Sequence, residues 1–259
     1  MNRSLSEIDV WGTVIVVEAA SLNKSIDNLS NAIDLAQEYF HHIDRVFSTY
    51  KSDSVVSQLR RGEISIEKCS DDVKEVWQEC LRARELTTGA FDPWAVVGGF
   101  DPSGFVKGWA AQKACDLIAS QGIESVLVNA GGDIAVQGGQ LIDGQLTPWQ
   151  IGIRNPANPT EIVHTIEISN GSVATSGTYE KGSHIVDPWT GLIAIGGTSA
   201  TVWGADAGMC EAMATALIVS GKDGARWFSQ PALAEYNAWC IDRGEDVSWS
   251  ISGADFLSQ

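Results

Sequence analysis

Apolar residues recur at helical spacing in four segments, and these segments predict the helices of the protein. The longest, "SLNKSIDNLSNAIDLAQEYFHHIDRVFS", predicts a helix of about 20 residues. Two further helices are predicted over Asp71 to Thr87 and over Lys107 to Ser120, and a glycine follows each of them closely. The last helix follows Asp206, its expected cap, and ends at Gly221.

Segments rich in β-branched residues predict the strands, beginning with "VWGTVIVVEA". "SVLVNAGGDIAVQGG" predicts a strand, a glycine turn and a second strand, and further strands are predicted in "WQIGIRNP", "VHTIEIS", "GSVATSG" and "TSATVWG". Strands grouped as in a meander, mixed with a few long helices, indicate the fold class α+β (mixed α/β). No low-complexity linker divides residues 1–259, so we expect a single domain. A strand-turn-helix unit is predicted around Lys107 and again around Glu211, which suggests two related halves.

Size and charge narrow the class of protein. The chain has 259 residues, 44% of them hydrophobic, which is enough to bury a sizeable core. Its formal net charge of -16 repels a phosphate backbone, and this argues against general nucleic-acid binding. An anion can still bind where the site supplies local positive groups or a metal ion.

The cysteines and the apolar runs indicate the cellular compartment in which we expect the protein. The five cysteines are odd in number and form no C-x-x-C pair, which favours reduced, buried thiols over disulfides or a zinc site. No stretch near the N-terminus has the apolar run of a signal sequence, and none approaches the roughly 20 residues of a membrane span. We therefore expect a soluble, cytoplasmic protein with no membrane partner.

The segment "DPSGFVKGWA" places Lys107 where a glycine-containing turn becomes a helix. A helix N-terminus has unpaired N–H groups and a partial positive charge, so Lys107 there favours a phosphate group. The segment does not match the P-loop pattern, because Gly108 follows the lysine. An ordinary capped helix with a surface lysine explains the same letters, and both interpretations stay open.

Glu211 and Thr215 stand four residues apart in "CEAMATALIVSG", so they share one face of a largely apolar helix. A carboxylate and a hydroxyl on a buried helix need partners. A hard cation such as Mg²⁺ would satisfy both, with phosphate oxygens of a substrate completing its coordination. Hydrogen bonds from backbone groups to Glu211 are the alternative.

Three turn-like segments have both a structural and a functional interpretation. "GAFDP" sets Phe91 beside Asp92, which places an aromatic ring and a carboxylate in a pocket or forms the commoner aspartate turn with a core aromatic. "NAGGD" follows an apolar strand, and its glycines permit close approach of a ligand to the backbone, but hairpin turns use the same residues. His184 is the one histidine among Gly, Ser, Asp and Pro, which makes it a candidate for proton transfer or simply a structural residue.

The order of these segments resembles that of one known family. "WGT", "FSTYKSDSVVSQL", "GAFDP", "DPSGFVKGWA", "VNAGGDIAVQGG", "IGIRNP", "VATSGTYEKGSHIVDPWTG" and "TVWGADAGMCEAMATALIVSG" occur here in the order found in the ApbE family, the FAD:protein FMN transferases. The resemblance runs from Trp11 to Gly221, and "SHIVDPWTG" and "DPSGFVKGWA" are its most specific parts. It implies an ApbE-like fold with mixed, largely antiparallel sheets and flanking helices.

The resemblance also implies a reaction. Members bind FAD with Mg²⁺, cleave its pyrophosphate and attach FMN through a phosphoester to a Thr or Ser of a partner flavoprotein, releasing AMP. Two alternatives remain for this chain: an FAD pyrophosphatase that uses water as acceptor, and a non-catalytic FAD-binding or flavin-carrier protein.

The family's site residues map onto this sequence by motif. The positions expected to contact FAD are Trp11, Tyr50, Ala90, Phe91, Asp92, Asp101, Lys107 and Ile185. The expected metal ligands are the Gly104 carbonyl and the side chains of Glu211 and Thr215. Lys107 is expected to stabilise phosphate charge, and either His184 or Asp187 to accept the acceptor's proton.

Two positions depart from the family pattern. Trp11 stands where members usually have Met, which changes the shape of the expected flavin pocket. Glu211 stands where members usually have Asp, and the extra methylene moves the carboxylate by roughly one carbon–carbon bond. Because Mg²⁺ demands near-ideal ligand positions, the second change makes FAD binding without transfer a real alternative.

Overall fold

The computed structural model describes residues 1–178, 185–242 and 248–256. Its centre is an eight-stranded sheet. In the order in which they lie side by side, its strands are β1 (Asn2–Val10), β2 (Thr13–Ser21), β3 (Ser125–Ala130), β4 (Asp133–Gln137), β9 (Gly171–Gly177), β10 (Gly197–Gly204), β11 (Asn237–Asp242) and β12 (Ser248–Ser252). Every strand pair within the described residues is antiparallel, which confirms the expectation of mixed α and β structure with antiparallel sheets.

Two small hairpins separate β4 from β9 in sequence. They are formed by β5 (Gln140–Ile142) with β6 (Gln145–Thr147), and by β7 (Trp149–Asn155) with β8 (Asn158–Ile168). Ile153 and Ile166 of the second hairpin pack with Val173 and Trp239 in a small apolar cluster of their own. This hairpin therefore contributes a second, smaller core beside the central sheet.

The helices are α1 (Ile26–Phe47), α2 (Val55–Arg60), α3 (Asp71–Leu86), α4 (Val106–Ala119) and α5 (Ala207–Ser220). Helix α1 begins at Ser25, whose hydroxyl accepts a hydrogen bond from the N–H of Asn28 in a capping box. Helix α5 begins at Asp206, whose carboxylate accepts from the N–H of Met209, as the sequence predicts. The four long helices and six of the predicted strands are thus confirmed to within a few residues.

The prediction of one strand through "VWGTVIVVEA" is wrong. Val10 and Thr13 pair with each other as the ends of two strands, and Trp11 and Gly12 form the turn between them with φ of 59° and 68°. A two-residue hairpin with both φ values positive fits the twist of the strands, and glycine at its second position carries no steric penalty. The strand before this turn, β1, has five exposed residues of nine, so its apolar signal is weak.

Helices α4 and α5 cover the middle of the sheet and pack against each other. Helix α4 lies on β3 and β4, whereas α5 lies on β9 and β10, so their contact follows the seam where β4 pairs with β9. Nearly all of α5 is buried, as its largely apolar sequence predicts.

Of the two expected units, the one around Glu211 is a strand, turn and helix, whereas α4 is preceded by the short 3-10 turn Pro102–Gly104. The second such unit expected around Lys107 is therefore not found. Among the described residues, no helix is long and apolar enough to cross a membrane. All five cysteines are buried and free, as predicted.

Candidate functional site

Lys107 lies between two buried carboxylates. Its Nζ is 2.8 Å from Oδ2 of Asp133, and it also bonds to Oε1 of Glu211. The side chains of Asp133 and Glu211 are 7% and 3% exposed, whereas that of Lys107 is 26% exposed. The surface-lysine interpretation is therefore wrong, because the ammonium group pairs with two buried carboxylates and only about a quarter of the side chain is exposed.

The start of α4 also contacts Glu211 through its backbone. The N–H of Gly108 donates to Oε2 of Glu211 at 2.9 Å, so both oxygens of this carboxylate have partners. A helix N-terminus has free N–H groups and a partial positive charge, which stabilise an acid at this position. Gly108 permits the contact because a Cβ there would lie 2.4 Å from the Ala207 carbonyl oxygen. Backbone bonding to Glu211, one of the two open alternatives, is thus observed.

The formal charges of Lys107, Asp133 and Glu211 do not sum to zero. Two buried carboxylates share one ammonium, and Lys107 is the only cation paired with either acid within the described part of the chain. Burying a charge without a partner is costly. The site therefore carries an excess negative charge that a further cation would compensate.

A set of hydroxyl groups lies one helical turn farther along α5. Oγ1 of Thr215 is 3.2 Å from Oγ of Ser176 in β9. A Cβ placed on Gly104 would lie 3.7 Å from Thr215 Oγ1 and 3.2 Å from the ring of Phe91. The predicted residues Gly104, Thr215 and Phe91 therefore meet in one place, on the same face of α5 as Glu211.

The "GAFDP" segment forms a compact turn after α3. The Thr87 hydroxyl accepts the N–H of Phe91 at 3.1 Å, and both Ala90 and Phe91 are buried. The carboxylate of Asp92 pairs with Arg84 at 2.7 Å and accepts the N–H of Trp94 at 2.9 Å. These bonds support the expected aspartate turn, with Phe91 as an aromatic side chain in the core.

Asp101 lies at the start of the 3-10 turn before α4. Its Oδ1 accepts the N–H of Ser103 at 3.1 Å, and its Oδ2 is 3.6 Å from a guanidinium nitrogen of Arg60. Arg60 also donates to the carbonyl oxygens of Val97 at 2.7 Å and Gly98 at 3.2 Å. Arg60 thus joins Asp101 to the loop between α3 and α4.

The "DPWTG" segment lies beside the turn after α3. Oδ1 of Asp187 accepts a hydrogen bond from the N–H of Trp189 at 2.8 Å. The backbone N–H of Asp187 donates to the carbonyl oxygen of Leu192 at 2.8 Å. Trp189 is 61% exposed, and together with Asp92 it lines an open cleft in the surface. Two segments that the sequence separates by about ninety residues thus form one surface.

The remaining predicted positions are spread around this region. The Trp11 ring packs edge-on against Phe40 with 5.6 Å between centroids, and Ile185 packs against the main core. Tyr50 is 100% exposed in the turn after α1. None of these three has a described contact with Lys107 or Glu211. His184 lies outside the described residues.

Cys210 precedes Glu211 on α5 and is a candidate nucleophile by residue type alone. Burial raises the pKa of its thiol well above its usual range, and the nearby acids Asp206 and Asp133 raise it further. The thiol is therefore neutral at physiological pH and is not an activated nucleophile.

The donors around Glu211 suit a hard cation. Hydroxyl and carboxylate oxygens are the ligands that Mg²⁺ prefers, and the excess negative charge favours its entry. Within the described ranges, no group of three or more His, Cys, Asp or Glu is arranged to hold a metal. A cation at Thr215 and Glu211 would therefore need further oxygens from the backbone, water or a bound phosphate.

Sequence reasoning assigned no site role to three residues of this region: Asp133, Ser176 and Arg60. Asp133 stands in "NAGGD", whose letters also spell a hairpin turn, and that turn is present, with φ of 69° and 105° at Gly131 and Gly132. The signal for Asp133 was a buried acid at the first position of a strand that is otherwise uncharged.

The comparisons with known proteins agree on one family. The chain matches the model of the ApbE family over residues 11–97 and 98–238. It is 33% identical to the FAD:protein FMN transferase of Vibrio cholerae serotype O1 in an alignment that covers 80% of this chain and 76% of that protein. It is 28% identical to the FAD:protein FMN transferase of Rhodobacter capsulatus over 73% of this chain and 34% of that protein. This second alignment spans only about a third of its relative.

Solved structures show the same fold. The flavin transferase ApbE from Vibrio cholerae has a TM-score of 0.80 with 23% identity over 99% of each chain. The ApbE protein from Thermotoga maritima has a TM-score of 0.82, also with 23% identity over 99% of each chain.

Proposed function

The chain belongs to the ApbE family, and from this membership we propose that it is an FAD:protein FMN transferase. In the proposed reaction a Thr or Ser hydroxyl of a target flavoprotein attacks the FMN-side phosphorus of FAD. The P–O bond to the AMP side breaks, AMP leaves, and a phosphoester joins FMN to the target. The hydroxyl loses its proton to the enzyme or to water.

One observation carries this proposal. Residues expected at the site by motif, though about a hundred positions apart, converge where α4, α5 and the turn before α4 meet. Lys107 contacts Glu211, and Gly104 adjoins Thr215, which lies one helical turn beyond Glu211. An ordinary structural role explains each residue alone, but it does not explain their common location in a region with excess negative charge.

The proposed magnesium site uses the chain's own oxygen donors. The Glu211 carboxylate, the Thr215 hydroxyl and the Gly104 backbone are its proposed ligands, with phosphate oxygens of FAD completing the set. When bound, Mg²⁺ supplies charge neutralisation for the two phosphates. Support comes from the donor types and from the charge imbalance of Glu211, Asp133 and Lys107.

Lys107 and the start of α4 have a related role in the proposal. Phosphoryl transfer depends on positioning and on stabilising the charge that develops on the phosphates. Lys107 keeps about a quarter of its side chain exposed, so its ammonium can contact an FAD phosphate without leaving the site. The N–H groups of α4 add a fixed partial positive charge there.

The hydrogen bond of Asp187 decides which residue we propose as the proton acceptor. Its Oδ1 already accepts the N–H of Trp189 and holds the turn, which suits a structural role. We therefore assign the acceptor's proton to His184.

The five free, buried cysteines suit a reducing compartment, so we place the reaction in the cytoplasm.

One assay separates the three candidate activities. The protein is incubated with FAD, Mg²⁺ and a flavoprotein domain bearing a candidate acceptor threonine, beside the same domain with that threonine changed to alanine. The transferase gives AMP and fluorescent FMN bound covalently to the threonine form alone. AMP and free FMN with either domain indicate the pyrophosphatase. FAD binding without AMP release indicates the carrier, which the full engagement of Glu211 favours as second candidate.

A further inference from the structure

Asp133 is the second partner of the Lys107 ammonium, and it is held independently of Glu211. It is the first residue of β4, where it pairs with Ala130 on one side and Ala174 on the other. The preceding glycine turn is fixed by a 2.8 Å bond from the N–H of Gly132 to the side chain of Asn129. The carboxylate of Asp133 is thus held by the central sheet, independently of α5.

The shared ammonium has a consequence for Glu211. With Lys107 alone, Glu211 would form a neutral ion pair, and an incoming cation would have to compete with the ammonium for the same oxygen. With Asp133 on the other side, the ammonium has a second acceptor at 2.8 Å and the site keeps a net negative charge.

We propose that Asp133 is a positioning residue that holds Lys107 when Glu211 binds a divalent cation. This rests on the magnesium site of the proposed function. Asp133 does not itself contact the cation in this scheme. It provides the place to which the ammonium moves, so that the carboxylate of Glu211 becomes available without leaving Lys107 buried and unpaired.

The test measures Mg²⁺ binding to the protein without FAD, by calorimetry, in four proteins: the parent, Asp133→Asn, Lys107→Met and the double variant. With Lys107 present, Asp133→Asn should weaken Mg²⁺ binding about tenfold, because ammonium and cation then compete for one carboxylate. In the Lys107→Met background the same change should cost no more than about twofold. Lys107→Met alone should bind Mg²⁺ at least as tightly as the parent.

The decisive quantity is the coupling between Asp133 and Lys107, which is the difference between the losses of Mg²⁺ affinity on Asp133→Asn in the two backgrounds. Equal loss on Asp133→Asn in both backgrounds would mean that Asp133 acts only as a distant charge, and would overturn the proposal. No loss in either background, or no Mg²⁺ binding by the parent, would also overturn it. Asp116→Asn is the matched control, since it removes an acid from the exposed side of α4 and should leave Mg²⁺ binding unchanged.

Further measurements separate an effect on Mg²⁺ binding from effects on folding and on FMN transfer. Thermal melting is recorded for each variant, and Asp133→Ser replaces Asp133→Asn if the latter does not fold. Asp133→Glu, which keeps the charge, should recover part of the lost affinity. A parent that binds Mg²⁺ with the expected coupling but transfers no FMN would retain this inference and reject the proposed function.

Discussion

Gly108 and Ala207 bring α4 and α5 into backbone contact: a Cβ on Gly108 would lie 2.4 Å from the carbonyl oxygen of Ala207. The same closeness lets the N–H of Gly108 reach Glu211 at 2.9 Å. The separation of the two helices and the position of the Glu211 carboxylate therefore depend on the absence of a Cβ at Gly108.

We predict that Gly108→Ala destabilises the protein despite the better helix propensity of alanine. The clash pushes the helices apart at a cost of about 1–3 kcal/mol, which exceeds the gain of roughly 1 kcal/mol from propensity. Urea denaturation measures the change. Asp116→Ala, at an exposed position of α4, should stay within about 0.5 kcal/mol of the parent. A stabilised Gly108→Ala protein would contradict the close packing.

Lys107→Met should lower the stability of the protein in the absence of ligands. A surface lysine would give little change, but the structure shows that the ammonium is shared by two buried acids. Leaving these acids unpaired costs about 1–3 kcal/mol. Melting curves with and without Mg²⁺ measure the effect, and Mg²⁺ should recover part of the loss because it binds only the folded form. FAD affinity or turnover should fall roughly tenfold to hundredfold.

Glu211→Gln should reduce FMN transfer by roughly tenfold to hundredfold, because it removes the charge that Lys107 and the cation share. A titration of activity against Mg²⁺ measures this, and the loss should be largest at limiting metal. Glu75→Gln is the control, since Glu75 pairs with Lys113 and Trp109 at the surface of α3. Parental activity of Glu211→Gln at limiting Mg²⁺ would remove Glu211 from the metal site.

Glu211→Asp restores the residue usual in the family, and it tests how this chain accommodates the longer side chain. Glu211 reaches both Lys107 and the Gly108 N–H. An aspartate loses one of these contacts, so we expect retained or tighter Mg²⁺ binding with lower stability without metal. Calorimetry and melting separate the two effects. Complete loss of activity in a folded protein would show that α5 is set back to suit glutamate.

Arg60→Met and Arg61→Met form a matched pair of neighbours on one helix end. Arg60 binds Asp101 and the carbonyls of Val97 and Gly98, whereas Arg61 pairs with the exposed Glu63. We expect Arg60→Met to raise the KM for FAD and to speed proteolysis of the loop after α3, with less change in kcat. Arg61→Met should change neither quantity. Identical behaviour of the two variants would show that Arg60 does not position Asp101.

The cysteines should resist alkylation while the protein is folded. Burial raises the pKa of Cys115 to about 12, and it also raises the pKa values of Cys80, Cys210 and Cys240. A raised pKa means less thiolate at a given pH, so at pH 8 the reactive fraction of Cys115 falls by roughly two to three orders of magnitude. Mass spectrometry after iodoacetamide treatment should find these thiols unmodified, and all five modified in denaturant. Rapid labelling at pH 8 would contradict their burial.

Sequence reasoning predicts the long elements well because their apolar periods extend over many residues. It misses β1 because that strand is mostly exposed, and it misses the turn at Trp11 because β-branched residues follow it immediately. The short strands β11 and β12 and the helix α2 were likewise not predicted, since five or six residues give little periodicity.

The site was predicted only in parts. Glu211 and Thr215 could be paired because helical spacing places them on one face. The contact of Glu211 with Lys107 spans 104 residues and depends on how two helices pack, which no local pattern encodes. Asp133 was missed because a glycine turn has the same letters whether or not the next acid binds a lysine.

The unequal chain separations of the two ion pairs have a consequence for biosynthesis. Lys107 and Asp133 are 26 residues apart, whereas Lys107 and Glu211 are 104 residues apart. A ribosome adds about 5–20 residues per second, so β4 emerges several seconds before α5. Asp133 is therefore available as a partner of Lys107 before Glu211 has been translated.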